Sequence, residues 1–360
     1  MKFIKPLGKL LLATFLFFSL CLQQVYPQSL ESRIDSLLQA TFTPKGPGAV
    51  FLVAKDGKVI YQKAFGMANL ELEVPMTPNN VFEIGSMTKQ FTAVAILMLV
   101  EQSKLQLDDE ITKFIPDYPT QGKNITLHHL LTHTSGIKSF TSMKSIRDIE
   151  RQDLTPIELI DFFKNEPMDF EPGQEFKYNN SGYVILGYII EILSGESYAD
   201  FIEKNIFQKL EMNSSQYASY SEVIKNRAYG YHQKDEFMNK NFVSLSLPYS
   251  SGSLMSTATD MLEWNEAIKN NTLLKPESTA KAFENCTLNN GENINYGYGW
   301  HISNLNESPS YEHGGSIFGF KSMGVYLPEE DIYVIGLSNC DCNSPTVLTR
   351  DIAKLTLQNY

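Results

Sequence analysis

Two kinds of apolar pattern run along the chain. Ala49 to Ala54 and Val59 to Ala64 are short runs on either side of Lys55-Asp56-Gly57-Lys58. Asp-Gly between such runs predicts a two-residue hairpin turn. Near the C-terminus, Tyr296 to Ser303, Phe320 to Leu327 and Ile332 to Leu337 predict three more strands, the last two joined through Pro328-Glu329-Glu330-Asp331. Between these strand-rich ends the spacing is helical: Pro156 to Lys164, Tyr183 to Leu193 and Tyr198 to Asn205, with Gly195 ending one helix and Ser197 capping the next. Leu30 to Ala40 reads as an amphipathic helix, and Thr346 to Leu357 as a final one. Thr257-Ala258-Thr259-Asp260 opens a helix to about Ile268 in the manner of a capping box.

Strands at both ends and helices between them predict an α+β fold. One antiparallel sheet, flanked by helices, is built from the N- and C-terminal segments, and a helical lobe is inserted. We place the sheet lobe at about residues 29–100 and 245–360 and the helical lobe at about 101–244.

One apolar run differs from the rest. From Gln90 to Val100 it is apolar nearly all round, which describes a buried helix, and Ser86 and Lys89 stand one turn apart at its start. A helix start offers unpaired N–H groups, and a neighbouring amine can take a serine's proton. A lysine inside an apolar helix is costly unless paired or neutralised, so it needs a reason. Two further Ser-x-x-Lys matches, Ser135 to Lys138 and Ser278 to Lys281, lie in polar stretches and open no buried helix. Ser86 is therefore the candidate nucleophile.

Two later motifs add to it. Tyr178-Asn179-Asn180 precedes the apolar helix from Tyr183, where a phenol for proton transfer and an amide for substrate orientation can point the same way. His313-Gly314-Gly315-Ser316 is the single His-x-Gly of the chain. Its glycines let another backbone approach, and the Ser316 N–H could pair with that of Ser86 as an oxyanion hole.

Composition narrows the setting. A net charge of −11, with no Lys/Arg run, argues against nucleic acid as a partner. Lys2, Lys5 and Lys9 precede an apolar stretch, Leu10 to Leu22, too short for a typical membrane span. Residues 1–28 thus read as a secretory signal, predicting a secreted or periplasmic protein with no stable membrane insertion once it is removed. Cys21 lies in that leader. Cys286, Cys340 and Cys342 are an odd set, no disulfide framework, with room for one bridge from Cys286. His129 and His133 are four apart, but no third ligand follows and Thr134-Ser135-Gly136 ends the helix, so we expect no metal. No cofactor is called for.

Taken in order, Ser86-x-x-Lys89, Tyr178-x-Asn180 and His313-x-Gly315 resemble the serine hydrolases that include class C β-lactamases, D-alanyl-D-alanine carboxypeptidases, D-aminopeptidases and β-lactamase-like esterases. Leu130 to Gly136, Ser251 to Thr257 and Tyr296 to Trp300 are similar too, and the resemblance covers roughly residues 30–355. It implies a cleft between the sheet and the helical lobe, with Ser86, Lys89 and Tyr178 catalytic and Asn180, His313, Gly315 and Ser316 binding a small-molecule or short-peptide substrate. It also implies acyl transfer to a small amide or ester. The alternatives are a true class C-type β-lactamase and a non-catalytic penicillin- or peptidoglycan-binding protein. The resting base stays open: neutralising a free lysine at pH 7 takes about 4.6 kcal/mol and ionising a free tyrosine about 4 kcal/mol, too close to separate. In one respect the chain departs from the β-lactamases, which usually carry Lys-Thr-Gly where it has His313-Gly314-Gly315. Losing that permanent cation predicts weak penicillinase activity beside real turnover of an activated ester.

Overall fold

The computed structural model describes residues 28–360, so the expected leader, but for its last residue, lies outside the described residues. The elements that position the site begin with helix α1 (Leu30–Gln39) and the hairpin β1 (Ala49–Lys55) and β2 (Lys58–Phe65). Helix α2 (Thr88–Glu101) follows, then α3 (Asn180–Ser194) and α4 (Ala258–Lys269). Four strands and a helix complete the set: β3 (His301–Leu305), β4 (Ser308–Ile317), β5 (Phe320–Leu327), β6 (Ile332–Ser338) and α5 (Thr346–Leu357).

The six strands form one antiparallel sheet in the order β3-β4-β5-β6-β1-β2. The first strand of the chain therefore pairs with the last, Ala49 opposite Ser338 and Lys55 opposite Ile332. Strand β1 is apolar without alternation because both faces are covered. Val50, Leu52 and Ala54 join the large cluster that contains Phe91 and Val94 of α2, while Ala49, Phe51 and Val53 pack with Ile34 and Leu38 of α1 and Ile352 of α5. The hairpin turn behaves as its sequence predicts, with φ of 51° at Asp56 and 69° at Gly57, both in the left-handed region that a type I′ turn needs.

Two expectations fail. Tyr296 to Trp300 is not strand: Gly297 donates to the Trp300 carbonyl at 2.9 Å in a tight turn, and extended structure begins only at His301. In exchange, Ser308–Ile317 is a ten-residue strand, the longest in the sheet, that apolar periodicity did not reveal. The cysteines also pair differently. Cys340 bonds to Cys342, two residues away with Cα atoms 5.1 Å apart, and Cys286 is a free, buried thiol. Among the described residues no helix is long and apolar enough to cross a membrane.

The two-sided burial of β1 sets an expected outcome. Phe51 is fully buried and its ring lies 5.7 Å from that of Phe42. Phe51→Ala should lower the unfolding free energy by about 3–5 kcal/mol in urea titration, whereas Val59→Ala, at an exposed hairpin position, should stay within about 0.5 kcal/mol.

Candidate active site

Ser86 sits in a single 3₁₀ turn, Gly85–Met87, that leads into α2. The turn is held from two sides. On one, the short strand Phe82–Glu83 pairs with Leu254–Ser256, Ile84 N–H donates to the Leu254 carbonyl at 3.0 Å, and Leu254 N–H donates to Thr88 Oγ1 at 3.1 Å. On the other, strand β4 presses against it. A Cβ on Gly315 would stand 2.0 Å from the Ile84 carbonyl oxygen, so no other residue allows this approach. The Ser322 hydroxyl of β5 donates to that same carbonyl at 2.8 Å. The Ser316 N–H is thereby brought against Gly85, 2.8 Å from where a Cβ would be.

Lys89 is completely buried, and among the described residues its amine meets no carboxylate. Its Nζ lies 2.8 Å from Asn180 Oδ1, 2.8 Å from the Ser251 carbonyl and 3.2 Å from Ser86 Oγ. The first two partners only accept. A neutral amine satisfies them with its two N–H groups and turns its lone pair toward the Ser86 hydroxyl. Burial supplies the cause, holding the lysine well below its ordinary range. The same burial pushes the Tyr178 phenol up, against a smaller opposing effect of the Ser86 side chain. Both shifts favour the uncharged forms.

Tyr178 reaches this place because its neighbours are pinned. Lys177 N–H donates to the His133 carbonyl at 3.0 Å and Asn179 N–H donates to His133 Nδ1 at 3.0 Å, bracketing the tyrosine. Asn179 then caps α3, its Oδ1 accepting from Gly182 N–H at 3.0 Å, and its amide group donates to the Ile137 carbonyl. The Tyr178 ring lies 4.8 Å from Lys89 Nζ and 4.4 Å from the His133 ring, and its buried hydroxyl has no hydrogen-bond partner among the described residues. Asn180 Nδ2 donates to Thr141 Oγ1 at 3.0 Å, which fixes the amide so that its oxygen faces Lys89.

His313 is placed close by but differently from its fellow candidates. It is 2% exposed, its ring centre 6.1 Å from that of Tyr178. One nitrogen, Nδ1, donates to the Gly314 carbonyl at 2.7 Å; Nε2 therefore accepts from the Tyr296 hydroxyl at 3.1 Å. Burial, then the nearby His301 and Lys89, hold it well below the usual histidine range, so it is neutral. Like Lys89 and Tyr178, it is not among the residues that line the cleft beside Ser86.

That cleft, about 250 Å³, is lined by Ser86, Asn180, Ser251, Ser316 and the apolar side chains of Phe140, Ile146, Val243, Leu247 and Phe318. Glu150 also faces it. At its edge Lys321, opposite Ser316 in the β4–β5 ladder, donates to Ser316 Oγ at 2.7 Å. A larger cavity of about 710 Å³, lined by Leu72, Tyr220, Arg227 and Glu83 among others, holds none of the sequence-predicted site residues. Ser251, Thr141, Glu150 and His133 join the site without having been marked as site residues. Only Ser251 and His133 gave a signal, in the Ser251 to Thr257 and Leu130 to Gly136 stretches. His128, His129 and His133 face apart, bonding respectively to Tyr298, Thr126 and Asn179.

Comparison with known proteins identifies the family and the fold. The β-lactamase family model matches residues 33–357. Penicillin-binding protein 4* of Bacillus subtilis (strain 168) is 33% identical over 309 residues, 80% of this chain and 67% of its own. Protein flp of Staphylococcus aureus (strain MRSA252) is 29% identical over 86% of this chain and 63% of its own. The chain thus spans about two thirds of the length of these relatives. Among solved structures, the octameric penicillin-binding protein homologue from Pyrococcus abyssi superimposes with a TM-score of 0.79 at 33% identity, covering 91% of this chain and 77% of that one. The D-amino acid amidase from Ochrobactrum anthropi SV3 also gives 0.79, over 92% of this chain and 100% of that one. At 23% identity that likeness is one of fold. The chain belongs to the β-lactamase family, among its penicillin-binding-protein-like serine hydrolases.

Proposed function

We propose that the protein hydrolyses a small amide or ester through an acyl-enzyme on Ser86, with neutral Lys89 as the resting base. The observation that carries this is the fully buried amine 3.2 Å from Ser86 Oγ with no counter-charge beside it. As Ser86 Oγ bonds to the substrate carbonyl carbon, its proton passes to Lys89 Nζ, and the oxyanion faces the N–H groups of Ser86 and Ser316. Collapse expels the amine or alkoxide, which takes a proton from the Tyr178 hydroxyl, and the Lys89 ammonium replaces it. The net transfer in this half is the serine proton to the leaving group. Water then attacks the ester carbon, its proton returns by the same groups to Ser86 Oγ, and the acid leaves.

Tyr178 suits the second proton step because burial keeps it a phenol, and its free hydroxyl is not committed elsewhere. Asn180 orients both Lys89 and the substrate. His313, neutral and with both nitrogens engaged, supports Tyr178 from behind. The similarity to a penicillin-binding protein at 33% identity favours a D-amino-acid peptide or a related ester as the substrate. The basic-then-apolar leader supports a reaction outside the cytoplasm.

Four outcomes are expected. Fluorophosphonate or a fluorescent β-lactam should label the wild type covalently and leave Ser86→Ala unlabelled; a reversible, Ser86-independent signal would mean a binding protein. Lys89→Met should reduce kcat/KM for a p-nitrophenyl ester by about 10²–10⁴-fold. Its acidic limb in the wild type should fall well below the ordinary lysine range, activity rising with pH as Lys89 loses its proton. A limb above pH 10 would make the Tyr178 phenolate the base, since burial moves that group upward. Nitrocefin should be turned over far more slowly than the ester, because no permanent cation stands in the place of His313; rapid cephalosporin hydrolysis would favour a true β-lactamase.

A further inference from the structure

Among the described residues that line the Ser86 cleft, Glu150 is the only one with a carboxylate or a cationic side chain. It follows the short helix Ile146–Ile149, and its backbone carbonyl accepts from Ser244 N–H at 2.8 Å, which ties it to the opposite wall carrying Val243 and Leu247. The residue is half-buried and, among the described residues, its carboxylate makes neither a hydrogen bond nor an ion pair. The rest of that wall is apolar. A carboxylate in such surroundings gains most from a charged donor brought in by a ligand.

The two lysines near the site do not compete for that role. Lys89 is committed to Asn180, Ser251 and Ser86, and Lys321 is held at the rim by Ser316 Oγ. A cleft of about 250 Å³ is small for a ligand site, with room for one amino-acyl-sized group and not for a long chain. Phe140, Ile146, Val243, Leu247 and Phe318 would enclose an apolar side chain. Resting on the acyl-transfer reading above, we infer that Glu150 is the specificity determinant for the acyl half of the substrate. It binds a free ammonium there, so that the preferred substrates are amino-acyl esters or amides with an unblocked amine.

The test compares hydrolysis by the full chain of alanine and phenylalanine methyl esters, in both enantiomers, with their N-acetylated counterparts. The wild type should favour the free amine by at least about tenfold in kcat/KM at low salt, mainly through KM, and the preference should shrink at about 0.5 M NaCl as the ion pair is screened. Glu150→Gln should collapse the ratio toward one and remove its salt dependence; Glu150→Asp should keep part of both. A merely structural role would lower both substrates together and leave the ratio and its salt dependence as they were. An unchanged ratio in Glu150→Gln, equal rates on both substrate forms, or a preference for the blocked form would overturn the inference while Ser86-dependent hydrolysis stood. If Glu150→Gln does not fold, the wild-type ratio and its salt response decide alone. Absence of any Ser86-dependent hydrolysis or labelling would overturn the acyl-transfer reading and this inference with it.

Discussion

An amine without a counter-charge holds the centre of this molecule. Lys89 draws in the Ser86 turn, the start of the helix bearing Asn180 and the carbonyl of Ser251, three segments far apart in the chain. Each contact is of the kind a neutral nitrogen can make, and each brings a wall of the cleft to the nucleophile. Burial then does double service, disfavouring the charged amine and the charged phenol beside it. Lys89, an ammonium at neutral pH when free, is thereby favoured as an amine, and Tyr178 stays a phenol beside it.

Much of the site is legible in the residues because each motif sits where a strong local pattern changes. Ser86 and Lys89 stand where a polar stretch meets a helix apolar on every side, and Tyr178 and Asn180 immediately precede another. What escaped is the product of contacts between distant segments. Strand β4 reads Ser-Pro-Ser-Tyr-Glu-His-Gly-Gly-Ser-Ile, with proline, two glycines and few β-branched residues. It is held by the ladders to β3 and β5 and by the fit of Gly315 against Ile84, none of which periodicity records. The turn at Tyr296 to Trp300 was taken for a strand because its aromatics alternate, yet they fill space around His301 and His128. Ser251 contributes only a backbone carbonyl, which no sequence motif can advertise. The Cys340–Cys342 bridge joins cysteines two residues apart, a pairing that an odd set of three does not single out.

His313 illustrates how a family motif can be kept while its chemistry is altered. In the lysine-bearing relatives of the resemblance, that position offers a cation to the substrate. Here the ring gives its proton to its own neighbour's carbonyl and its lone pair to Tyr296, so both nitrogens are engaged within the protein. The strand still delivers the Ser316 N–H to the nucleophile, since that depends on Gly315 and the ladder and not on the side chain two residues earlier. The side chain at position 313 and the backbone at position 316 are thus set by separate contacts along one strand.

The pairing of β1 with β6 has a consequence for how the chain is made. Synthesis delivers Ala49 early and Ser338 near the end, yet they are neighbours in the middle of the sheet. Contacts of such long range carry the largest loop-closure cost and form slowly. The edge of β1 that pairs with β6 must therefore wait, unpaired, until the last strands have left the ribosome. A polypeptide that cannot close early stays threadable for most of its synthesis, a property suited to passage across a membrane before folding.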